Sequence, residues 1–91
     1  MYTHTFRNFV RLAAKKVDAT ILDTWTDYRR DSSPEERIVT IRCLSNEADV
    51  LNNVERLMEL AGINAQSHGL RMTNSGYLKC NCVKPAPSIL F

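Results

Sequence analysis

Apolar side chains recur along this chain in two rhythms, and the rhythms divide it into six segments. Phe6, Phe9, Val10, Ala13, Ala14 and Val17 fall at three- and four-residue steps, the spacing that lines one face of an α-helix. A helix is therefore expected over about 5–16, with Thr3 or Thr5 as N-cap. Residues 17–28, VDATILDTWTDY, are rich in β-branched and aromatic types and predict a strand. A continued helix with Asp18, Asp23 and Asp27 on one polar side is the competing reading. RRDSSPEE at 29–36 reads as a polar turn, since Pro34 is unsuited to a central strand.

Residues 37–44, RIVTIRCL, carry the clearest two-residue alternation, with Val39, Ile41 and Cys43 on one side and Ile38, Thr40 and Arg42 on the other. A second helix follows to about Ala61. Ser45 or Asn46 is its expected cap, with Asp49 completing a capping box. Its apolar side is Val50, Leu51, Val54, Leu57, Met58 and Ala61, and Gly62 suits the left-handed residue that ends a helix. A hairpin is then expected, with strands at about 63–73 and 77–84 around Asn74-Ser75-Gly76. A three-residue loop pairs Thr73 with Tyr77, Met72 with Leu78, Arg71 with Lys79 and Leu70 with Cys80. Only that register sets apolar against apolar on one face. His68 would then lie opposite Cys82.

The order is helix, strand, strand, helix, strand, strand. The two halves echo each other: Asn8, Arg11 and Leu12 align with Asn53, Arg56 and Leu57, and Val17-Asp18-Ala19 with Ile63-Asn64-Ala65. The expected fold is α+β, αββαββ, a four-stranded antiparallel sheet with both helices on one face. Moving the last strand to the front gives β-α-β-β-α-β, so the plan is a permuted ferredoxin-like one. One domain is expected over 1–84, with 85–91, PAPSILF, as an extended tail.

Composition narrows the function classes. The 91 residues carry a net charge of +2, with 44% hydrophobic and 24% charged side chains, which is ordinary for a globular domain. No apolar run approaches the roughly 20 residues of a membrane-spanning helix. Arg7 and Arg11 interrupt any signal-like run at the start. Three cysteines suit reduced thiols, and a cytoplasmic location is expected. Charge is unevenly placed, because every acid lies between Asp18 and Glu59 while both ends are basic.

Candidate chemistry is sparse. Cys80-x-Cys82 lacks the spacing of a zinc knuckle and reads as core packing. Nothing points to a catalytic pair, a phosphate loop, a metal or a cofactor. Alternation instead places Arg42, Arg71, Tyr77 and Lys79 on the outer face of the sheet, with Trp25 near them, while Arg7, Arg11 and Lys15 form a basic track on the first helix. These residues suggest a small non-enzymatic binding or regulatory protein that acts on a protein partner or on its own copy as a homodimer. Trp25, Tyr77 and the Ile89-Leu90-Phe91 tail would be its anchors. Two alternatives remain: a nucleic-acid-binding protein that takes single strands on the basic face, and a phage or mobile-element inhibitor of a host complex.

Overall fold

A computed structural model describes residues 1–28 and 35–84 of the chain. The expected turn at 29–34 and the tail at 85–91 lie outside these. The described residues form two α-helices and one four-stranded antiparallel sheet, an α+β arrangement.

Helix α1 spans Thr3–Lys16, and its buried residues Phe6, Val10, Ala13 and Ala14 are those the three- and four-residue steps select. It starts earlier than the pattern suggests: Tyr2 occupies the cap position, without a side-chain cap bond, and Thr3 is already helical and buried. Asp18 ends it in the left-handed region at φ 57°, which rules out a helix continuing through 17–28. Strand β1 is Thr20–Tyr28 and β2 is Glu36–Leu44. Their register slips at Leu22, so Ile21 pairs with Cys43 but Asp23 with Arg42. Leu22 is the extra residue of a β-bulge.

Ser45 and Asn46 are both left-handed, at φ 59° and 55°, and swing the chain into α2, Glu47–Leu60. The expected capping box is absent. Asn46 Nδ2 instead donates to the Val17 carbonyl at 3.1 Å, tying the start of α2 to the end of α1. Gly62 ends α2 as its sequence position implies. It has φ +75°, its N–H reaches the Glu59 carbonyl at 3.0 Å, and the Ile63 N–H reaches Met58 at 2.8 Å. This pair of bonds is the Schellman arrangement.

The strand expected over 63–73 is largely replaced by a turn. Asn64 Oδ1 accepts from the N–H groups of Gln66 and Ser67 at 3.0 and 3.2 Å, and 66–68 close into a 3₁₀ turn ended by left-handed Gly69. Local side-chain bonding outcompetes the ladder there. Strand β3 shrinks to Arg71–Met72, and β4 is Tyr77–Val83. Around Asn74-Ser75-Gly76 the three-residue register holds, with Thr73 N donating to Tyr77 O at 2.8 Å, Arg71 opposite Lys79 and Met72 opposite Leu78. Leu70 lies outside the strand and bonds back to Ala65. Each half of the chain thus gives a helix followed by an antiparallel strand pair.

The strand order is β1-β2-β4-β3. Val39, Ile41 and Cys43 on β2 and Leu78, Cys80 and Cys82 on β4 join Phe6, Val10, Val50, Val54 and Met58 in one buried cluster. Both helices therefore cover the same face. The sheet edges differ. Beyond β4 and β3, the His68 carbonyl approaches Cys80 Sγ at 3.4 Å and the Met1 carbonyl accepts from Val83 N–H at 2.9 Å. At the other edge, β1 has no strand on its outer side among the described residues. No helix is long and apolar enough to cross a membrane.

Candidate binding face

The face of the sheet turned away from the helices gathers five of the eight residues singled out in the sequence. Cross-strand pairing fixes their places. Trp25, Thr40, Lys79 and Arg71 form one rung across all four strands; Asp23, Arg42 and Tyr77 form the next; Asp27, Ile38 and Asn81 lie on the other side. Directly opposed residues in antiparallel strands share a face, so these ten belong together.

An aromatic centre organises the face. The Trp25 and Tyr77 rings meet edge to face at 5.6 Å, within the favoured range for aromatic pairs. The Arg42 guanidinium stands 5.8 Å from the Tyr77 ring centroid, close enough for a cation–π contact. Trp25 is on β1 and Tyr77 on β4, so the indole reaches across β2. Thr40, the neighbour of Trp25 on β2, is 0% exposed although it faces outward, and its hydroxyl has no hydrogen-bond partner. Asn81 Oδ1 is likewise buried and unpartnered.

Charge is graded across the face. Asp23 and Asp27 are exposed on β1, while Arg71 and Lys79 oppose each other on β3 and β4. Arg71 is held in place, since its Nη1 donates to the Gly69 carbonyl at 2.8 Å. Gly69, at φ +64°, leaves that corner open: a Cβ there would meet Asn81 Nδ2 at 2.7 Å and Arg71 Nη1 at 3.3 Å. Gly69→Ala is therefore expected to cost about 1–2 kcal/mol in backbone strain and displacement of Asn81. The check is a lower urea midpoint at an unchanged slope.

The other three sequence candidates lie in the helix layer. Arg7 donates to Thr26 Oγ1, Arg11 donates to Asn8 Oδ1 at 3.2 Å, and Lys15 is exposed in the last turn. They are separate from the sheet face. Sequence reading missed Asp23, Asp27, Thr40 and Asn81. The first two depended on the Leu22 bulge, and the last two on neighbours that only the assembled sheet supplies.

The cysteines are core residues, each at most 4% exposed. Burial, then nearby Glu47, pushes the Cys43 thiol up. A hydrogen bond to Cys82, then burial, pushes Cys80 up. The same bond lowers Cys82, and although burial opposes it, the N-terminal ammonium and Arg7 add to the lowering. His68 meets Cys80 through its backbone carbonyl, not opposite Cys82 as the longer strand would have placed it. No group of three or more His, Cys, Asp or Glu converges among the described residues. A half-open groove of about 520 Å³ between α2 and the 3₁₀ turn is lined by Glu55, Glu59, Ile63, Asn64, Gln66 and Leu70 among others.

The chain matches no family model, no curated protein and no solved structure.

Proposed function

We propose that this chain is a non-enzymatic, cytoplasmic binding protein that associates with its own copy through the open sheet face. The carrying observation is the charge gradient around the aromatic centre, acidic on β1 and basic on β3 and β4. Two facing sheets related by a two-fold axis along the strands would lay β1 of one copy over β3 of the other. Trp25 would then meet the partner's Arg71, with Asp23 and Asp27 on either side of that rung. An axis across the strands would stack β1 on β1 and oppose like charges. Pairing β1 edge to edge, centred on Trp25, would set Asp23 against Asp27, which is also unfavourable.

We read the fold as a circularly permuted ferredoxin-like plan. The support is the strand order: moving β4 ahead of α1 gives β-α-β-β-α-β, with β4 between the two strands that flank α2.

A face of four short strands is at the small end of specific interfaces, so roughly micromolar association is expected. Sedimentation velocity should show the mass rising towards two copies over that range. Trp25→Ala should weaken association roughly thirtyfold, as for a central aromatic anchor. A single-copy mass up to millimolar concentration would remove the reading. Single-stranded nucleic acid is the second reading, favoured by a cationic rung next to the Trp25–Tyr77 aromatic pair. The β1 acids count against a strand crossing the whole face.

A further inference from the structure

We propose that the basic corner of the open face, formed by Arg71, Lys79, Asn81 and Thr40, is a binding site for a phosphate group, and that bound phosphate competes with the partner copy's carboxylates. The site itself stands on the geometry alone. The competition rests on the self-association proposed above.

Arg71 and Lys79 are directly opposed on one face. Like charges so placed repel each other unless an anion lies between them. Arg71 is steered to the position by the Gly69 carbonyl, which uses one of its five N–H donors and leaves the others for a ligand. Lys79 has Thr40 as its neighbour on β2. The Thr40 hydroxyl is fully buried and donates to nothing, an arrangement that costs stability unless a partner sometimes fills it. Asn81 follows along β4, its Nδ2 bordering the same space beside Gly69 as Arg71 Nη1. Its buried Oδ1 has no donor, and turning the amide over would direct two N–H groups there instead. Guanidinium, ammonium, hydroxyl and amide groups on neighbouring positions of β2, β3 and β4 suit a tetrahedral oxyanion with several acceptor oxygens. A carboxylate has two oxygens and engages fewer of them.

Trp25 is the β1 neighbour of Thr40, and its ring reaches Tyr77. A ligand that uses the hydroxyl therefore moves the indole, which is also the anchor of the proposed dimer. Phosphate binding and self-association would thus draw on the same side chain in different positions.

The test is an amide-resolved NMR titration with inorganic phosphate, compared with chloride at matched ionic strength. It is run on the wild-type chain and on the Asp23→Lys, Asp27→Lys chain, which retains the corner but opposes like charges in the dimer. Saturable shifts at residues 40, 71, 79 and 81 are expected in both chains with phosphate and not with chloride. Arg71→Ala should weaken binding at least tenfold. Thr40→Val, which keeps the shape and removes the hydroxyl, should weaken it about threefold with the fold intact. In the wild-type chain phosphate should also lower the sedimenting mass. Equal shifts with chloride, or shifts indifferent to Arg71→Ala, overturn the site. Binding with no change of an established dimer overturns the competition. A wild-type chain that is monomeric throughout sinks the self-association reading, while the same titration still decides the phosphate site. A short single strand binding more tightly than free phosphate would identify a phosphodiester as the source; the reverse order would identify free phosphate or a monoester.

Discussion

Reversing both cations together, Arg71→Glu with Lys79→Glu, is expected to weaken self-association on the order of a hundredfold. Arg71 of each copy lies over the partner's β1 with Asp23 and Asp27 on either side, so the two-fold interface is altered at four cation–carboxylate contacts. Exposed ion pairs contribute about 0.2–1 kcal/mol each, and turning attraction into repulsion moves each place by at least that much. The sum is roughly 3 kcal/mol, or two orders of magnitude in Kd. Asp23→Lys with Asp27→Lys should do the same from the other side. Mixing the two variants makes every facing pair opposite again, so a mixed dimer should return to wild-type affinity. Sedimentation of each variant alone and of the equimolar mixture reads this directly. Two variants that associate like wild type, or a mixture that stays monomeric, would show that the open face is not the interface or that its axis is different.

Phe6→Ala is expected to cost about 3–5 kcal/mol, as for a buried phenylalanine truncated to a cavity. Phe6 is 0% exposed and belongs to the cluster that joins α1 to β2 and β4. A chain of 91 residues has on the order of 5–14 kcal/mol of stability in all, so this one change removes a large share. Thermal unfolding should fall by roughly 15–30 °C. Leu12 is on the same helix but 57% exposed, and Leu12→Ala should stay within about 0.5 kcal/mol of wild type. Equal losses at the two positions would mean that α1 packs through a different face.

The elements that were legible in the sequence are those whose side chains report their own burial. Val39, Ile41 and Cys43 alternate and are buried on β2; Phe6, Val10 and Ala13 repeat at helical steps and are buried on α1. The Asn74-Ser75-Gly76 bend set the hairpin register, because only one loop length kept Met72 beside Leu78. The segment 63–70 was misread. Its apolar residues Ile63, Ala65 and Leu70 suggested a strand, while the Asn64 side chain and Gly69 determined a turn. The caps were illegible for a related reason: Asn46 bonds to Val17, 29 residues away in sequence, instead of to its own helix. Of the candidate site, Arg42, Tyr77, Lys79 and Arg71 followed from alternation within single strands. The unsatisfied Thr40 hydroxyl and the Trp25–Tyr77 contact across β2 depend on three strands meeting, and no single segment carries that information.

The bulge at Leu22 acts as a phase shifter for everything after it. Ile21 looks toward the helices and Asp23 away from them, although residues two apart in a regular strand look the same way. Drawing Leu22 into regular pairing, with the bulge straightened, would slip the rest of the strand by one residue and exchange the two faces of β1. Thr24 and Thr26 would come to the outside, and the indole with both aspartates would turn toward the helix layer. A slip of one residue, silent to any tally of charge or hydrophobicity, would thus erase the polarity of the outer surface.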